Sequence, residues 1–105
     1  MKYEIQYHSA AVQTDILSLP ATLLAKYLKY TDRMEIFGAN LGMPHTKSMG
    51  DGLFELRLKG AEGIARVFYC TQVGRRIVML HSFVKKTDKT PASELKIARI
   101  RIKEI

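Results

Sequence analysis

Two arginines stand inside runs that otherwise read as β-strand. Arg66 lies in "GIARVFYCTQ" between Ile64 and Phe68 on one face, and Arg57 lies in the preceding run, "LFELRLK". A guanidinium buried in such a strand is costly unless an anion meets it. If strict alternation puts Arg57 and Arg66 on one sheet face, they form a rigid cationic pair suited to bidentate phosphate binding. The other assignment pairs Arg66 with Glu55 or Glu62 and leaves Arg57 in solvent. Further on, Lys85 and Lys86 end the next apolar run, and Lys89 follows across "TD". A strand that runs into a helix N-terminus gathers backbone donors and partial positive charge, which suits an anion. A three-lysine turn by itself is a solvated surface. Beside Arg57 and Arg66 it reads as one rim of a phosphate site.

The remaining reactive side chains point to structure. His81 falls in an apolar run and reads as a satisfied core histidine, Tyr7 and Tyr69 as packing residues, and Asp51 as part of the turn "GDG". Cys70 has no histidine and carboxylate in a protease-like arrangement and reads as a small buried hydrophobe. Three scattered histidines and one cysteine do not make a zinc site, and no Gly-rich phosphate loop or nucleophile elbow is present. The expectation is therefore a site without metal or cofactor.

The charge distribution agrees with a polyanion-facing surface. The net charge is +7, and residues 1–46 balance Lys2, Lys26, Lys29 and Arg33 against Glu4, Asp15, Asp32 and Glu35. The whole excess therefore sits in residues 47–105, which suggests a basic face for a nucleic acid or an acidic protein partner. No apolar run approaches the roughly 20 residues of a membrane span, and "MKYEIQYHS" lacks the apolar stretch of a signal peptide. A cytoplasmic protein is expected, in keeping with a lone cysteine.

The elements that must position these residues follow from periodicity. With 105 residues, 47% apolar and 26% charged, the chain is expected to form one domain, residues 1–105. "KYEIQYHS" reads as a first strand, and a short helix is expected around Val12 to Leu17. A longer helix follows, with Ser18 as its cap, Pro20 early, and Leu24, Tyr27 or Leu28, Thr31, Met34 and Phe37 as its apolar stripe. Gly38 or Gly42 ends it. "MPHTKSMGDG" reads as loop. "LFELRLK", "GIARVFYCTQ" and "RRIVMLHSFV" form an antiparallel three-strand meander, the last nearly continuously apolar from Ile77 to Val84 and so covered on both faces. Thr90 then caps a C-terminal helix with Pro91 at its first position. Leu95, Ala98, Ile102 and Ile105 form its apolar stripe, and Lys96, Arg99 and Lys103 a basic one. The class is α+β: N-terminal strand, two helices, three-strand meander, C-terminal helix.

"GDGLFELR", "GIARVFYC" and "RRIVMLHSFVKKTDKTPASELKIA" together resemble the RelE/ParE superfamily of bacterial toxins, in its phage-derived HigB-like branch. The likeness covers about residues 12–103, and FVKKTxKTP is its most specific part. It implies a RelE-like, microbial ribonuclease-like fold and a type II toxin-antitoxin system. The toxin would be a ribosome-dependent mRNA endoribonuclease that inhibits translation without a metal. The implied partners are the ribosome, its mRNA, and a cognate antitoxin of helix-turn-helix type. Carried over by position, Arg57, Arg66, Lys85 and Lys86 are the catalytic candidates; Lys47, Lys59, Arg76 and Lys89 are further basic residues expected to bind RNA. Some nuclease relatives have a lysine where this chain has Glu55, and a tyrosine on the last helix that this chain lacks. The general acid and base thus stay open among Lys85, Lys86, His81 and Glu55. ParE-like relatives share the fold and inhibit DNA gyrase without cutting RNA, which is the alternative function.

Overall fold

Alternating and helical periodicities follow one another as β1 (Glu4–Tyr7), α1 (Ala10–Leu17), α2 (Ala21–Phe37), β2 (Thr46–Gly50), β3 (Leu53–Gly60), β4 (Gly63–Gln72), β5 (Arg76–Lys85) and α3 (Ala92–Ile102). The computed structural model describes residues 2–85 and 89–105, so the candidate Lys86 lies outside the described residues. The strands form one sheet in the order β1-β5-β4-β3-β2, with β1 parallel to β5 and every other pair antiparallel. The chain leaves β1 at one edge, crosses beneath the sheet as α1 and α2, and re-enters at the opposite edge as β2. The meander then carries it back to β5 beside β1. Among the described residues, no helix is long and apolar enough to cross a membrane.

Local contacts fix where α1 begins and α2 ends. Ser9 accepts the Val12 N–H at 3.2 Å and starts α1, and α2 closes at Gly38. Gly38 has φ 96°, and a Cβ there would sit 3.3 Å from the Tyr3 ring, so both the backbone angle and the close approach favour glycine. Ser18 closes α1 and Pro20 is the N-cap of α2, contrary to the expectation for Ser18. The α2 stripe is correspondingly Leu23, Tyr27, Tyr30, Thr31 and Met34, whereas Leu28 and Phe37 are exposed.

The sheet has two different faces. One receives α1 and α2, packing Val12, Ile16, Leu23, Tyr27 and Met34 on Leu56, Leu58, Val67, Tyr69, Ile77 and Met79. Each fully buried aliphatic or aromatic side chain of that layer contributes about 1.5–3 kcal/mol. Tyr69 donates from its hydroxyl to Ala39 O at 2.6 Å, and the Tyr7 and Tyr27 hydroxyls share a bond of 2.9 Å. Burial holds the Tyr27 and Tyr69 hydroxyls far above the ordinary tyrosine range, so both remain protonated packing groups. The opposite face carries Leu53, Phe68, Cys70, Val78 and Leu80 under α3, which inserts Ala98 between the partly buried Leu95 and Ile102. Ile105 is exposed and takes no part in that stripe.

The segment "TKSMG", expected as loop, is the edge strand β2, so the meander has four strands. Its polar composition hides a strand whose hydrogen bonds come from one neighbour only. A second departure lies in β5. Phe68 pairs with His81 while Tyr69 pairs with Met79, so Leu80 is an extra residue, a β-bulge. Ile77 and Met79 face α1 and α2, but beyond the bulge His81 and Phe83 turn to the α3 side, where the Phe83 ring lies 5.8 Å from that of Phe68. Double coverage therefore extends over Ile77 to Leu80, and Val84 is exposed.

The bulge is held by α3. Arg101 donates to Leu80 O at 2.9 Å and to His81 Nδ1 at 3.3 Å, while His81 Nε2 bonds Glu94 on the same helix. Arg99, expected on an open basic stripe, instead donates to Met49 O at 2.7 Å and Gly50 O at 3.4 Å. Arg101→Met removes a charged donor from the bulge carbonyl. It is expected to lower unfolding free energy by about 1.5–3 kcal/mol, read from urea denaturation, with the largest amide shifts at residues 80–83.

Candidate functional site

α3 covers only part of its sheet face, and the rest is an open cleft of about 330 Å³ lined by Lys47, Met49, Glu55, Arg57, Arg66, Lys85, Lys89 and Thr90. Five segments build it. β2 supplies Lys47 and β3 supplies Glu55 and Arg57. β4 and β5 supply Arg66 and Lys85, and the segment before α3 supplies Lys89 and Thr90.

Register places these side chains. Arg57 and Arg66 are direct cross-strand partners, so they share a face, as the phosphate-site reading required. Lys47 stands opposite Glu55, and Lys85 opposite Ile64, two residues before Arg66. Lys85 reaches this face because the bulge at Leu80 has reversed the alternation of β5.

Two arginines directly opposite one another would repel. Glu55 sits between them: its Oε1 lies 3.5 Å from Arg66 Nε and 3.9 Å from Arg57 Nε. Its other oxygen, Oε2, accepts from the Thr90 hydroxyl at 2.8 Å. Thr90 was expected to cap α3, but its hydroxyl is committed to Glu55, and α3 starts after Pro91 with no side-chain cap. Thr90 thus ties the entry of the helix to β3. Both assignments for Arg66 apply at once: it pairs with Glu55 and it shares a face with Arg57. Glu62 is elsewhere, bonded to the Thr22 N–H and hydroxyl, and the hydroxyl bond foremost holds its carboxyl below the usual range.

Burial gives the cluster its force. Glu55, Arg66 and Lys85 are 3%, 5% and 7% exposed, whereas Lys47 and Lys89 are open to solvent. Five cations thus surround one carboxylate, and partial burial keeps their field from being screened as it would be on an open surface. The arrangement suits an anion with several oxygens, approached from the solvent side and met by rigid arginine donors.

The other candidates distribute unevenly. Lys59 lies on the same strand face two residues beyond Arg57, at the rim of a neighbouring cavity. Arg76 opens β5 at the opposite end of the sheet from Lys85 and donates to Val73 O at 2.9 Å, so it does not join the cluster. His81 is engaged by Glu94 and Arg101 away from the cleft. Cys70 is buried, which pushes its thiol pKa up and removes it as a nucleophile. Among the described residues, no three His, Cys, Asp or Glu side chains come together as a metal site. Sequence reasoning missed Thr90 as a ligand of Glu55. Its one signal was that a hydroxyl cap at that position competes with a carboxylate on the adjoining strand.

The model of the phage-derived Gp49-like protein family (DUF891) matches residues 14–103. No curated protein matches the chain. Among solved structures, the chain is similar to the crystal structure of an archaeal RelE-RelB complex from Pyrococcus horikoshii OT3, with a TM-score of 0.53 and 19% identity. That match covers 82% of this chain and 98% of the other, and it shows a RelE-like fold.

Glu55→Gln keeps the shape of the site and removes the negative charge at its centre. Breaking a buried pair in this way is expected to cost roughly 3–5 kcal/mol. Added inorganic phosphate should restore part of the loss by seating an anion among the cations. Thermal unfolding with and without phosphate measures both effects.

Proposed function

The chain belongs to the phage-derived Gp49-like family, and from that membership and its RelE-like fold we propose that it is the toxin of a type II toxin-antitoxin system, acting as a ribosome-dependent mRNA endoribonuclease. The observation that carries this reading is the cross-strand Arg57–Arg66 pair, set with Lys47, Lys85 and Lys89 around an open cleft that suits an RNA backbone.

In the proposed reaction the 2′-oxygen of one nucleotide loses its proton and attacks the adjacent phosphorus. The bond from phosphorus to the 5′-oxygen breaks, and that oxygen takes up a proton as it leaves. The products are a 2′,3′-cyclic phosphate and a 5′-hydroxyl. Arg57 and Arg66 hold the non-bridging oxygens and stabilise the charge that develops on them, a contribution worth about 10²–10³ in kcat per donor. Lys85, which lines the cleft, faces the same phosphate. With His81 committed to α3, we assign proton transfer to Glu55 and Lys85, which line the cleft beside the further ammonium groups of Lys47 and Lys89. Glu55 accepts a proton and Lys85 donates one.

The basic cleft also suits the partner that this function demands. An antitoxin segment with acidic side chains would neutralise the same five cations and block access to RNA. The likeness to a chain crystallised in an archaeal RelE-RelB complex supports such a pairing.

Wild-type protein added to a translation extract is expected to cleave messages, leaving 2′,3′-cyclic phosphate ends. Arg57→Ala, on a half-exposed position that tolerates truncation, should lower cleavage about 10²–10³-fold without loss of fold. Intact messages at inhibitory doses would overturn the reading, and supercoiling defects appearing first would favour a gyrase-directed toxin of the ParE type.

A further inference from the structure

Arg57 and Arg66 line a second cavity as well as the cleft. It measures about 310 Å³ and lies beside β3 near the start of β2, bounded by Lys26 and Tyr30 of α2, Pro44 and His45 before β2, and Leu58, Lys59 and Ile64 of the sheet. We infer that this cavity is a nucleoside subsite: it receives the base and ribose attached to the phosphate held in the cleft, with the base stacked against His45. The inference rests on the phosphate-binding reading above.

Three observations support it. The partly exposed His45 ring forms an aromatic wall backed by the buried Tyr30 ring, with centroids 4.8 Å apart and planes at 45°. Bases stack on such walls whatever their identity, because every base presents a π-face. Second, the Arg57 N–H donates to His45 O at 2.8 Å, so the backbone fixes His45 at the shoulder of the phosphate-binding arginine. A nucleotide whose phosphate meets Arg57 therefore has its base within reach of the wall. Third, the cavity joins apolar surface from Pro44 and Ile64 to a cationic rim of Lys26 and Lys59. Lys59 stands about 7 Å beyond Arg57 along the strand, placed for the next phosphate. By contrast, the recess lined by Thr71, Gln72, Val73 and Arg76 offers one cation, no ring and no continuity with the cleft.

The test compares adenosine 3′-monophosphate with inorganic phosphate as ligands of the intact protein, by calorimetry and by proton NMR of the base. The nucleotide is expected to bind at least about fivefold more tightly than phosphate, with upfield-shifted base protons. His45→Ala should bring the ratio of the two affinities close to one, and His45→Phe, which keeps a flat ring, should retain it. Arg57→Ala should weaken both ligands. Equal affinities in the wild type, or a ratio unchanged by His45→Ala, would overturn the subsite and leave the phosphate site standing. Failure of both ligands to bind at millimolar concentration would overturn the phosphate reading and the subsite with it.

Discussion

A single carboxylate, Glu55, must balance cations delivered by five separate segments of the chain. The cost of bringing Arg57 and Arg66 face to face on adjacent strands is met by a group within 4 Å of both, and its second oxygen holds Thr90. The balance is incomplete in electrostatic terms. A site with as many carboxylates as cations would be more stable and indifferent to anions, whereas this one keeps a surplus of positive charge on rigid strands.

Four arginines of the second half of the chain divide into two pairs with opposite tasks. Arg99 and Arg101 direct their donors to the backbone carbonyls of Met49, Gly50 and Leu80 and so fasten α3 to the β2–β3 turn and to β5. Arg57 and Arg66 are arranged around Glu55 at the mouth of the cleft. The positive charge apparent in composition is thus partly structural, and only geometry separates the two kinds. A helix fastened by charged donors to carbonyls is also a helix with a defined edge, and that edge borders the cleft.

The legibility of this molecule in its sequence varied with the range of the interactions involved. The strands β3 and β4 were clear because alternation is local, and the same alternation put Arg57 and Arg66 within the right pair of strands. The edge strand β2 was not clear, since "TKSMG" carries no apolar period and exists as a strand only by bonding to β3. Caps were misread at Ser18 and Thr90 for a related reason: a hydroxyl beside a helix has several partners to choose from, and Thr90 chooses a carboxylate 35 residues away in sequence. The His45–Tyr30 wall was equally hidden, because it joins a loop to a helix through space. The resemblance to a toxin superfamily located the basic residues on their strands, but it did not reveal that Glu55 organises them.

The bulge at Leu80 gives chain length a different meaning at different places in this fold. In the turns between strands, a residue gained or lost changes only the size of a surface loop. Between Met79 and His81 the bulge acts as a parity bit: with Leu80 accommodated as an extra residue Lys85 faces the cleft, and if the same residues ran on in unbroken alternation that lysine would be directed into the layer packed by α1 and α2. Substitutions along β5 can therefore be absorbed one side chain at a time, but loss of the bulge with its residue retained would invert the whole end of the strand and erase the site, whereas deletion of Leu80 itself would leave Lys85 opposite Ile64.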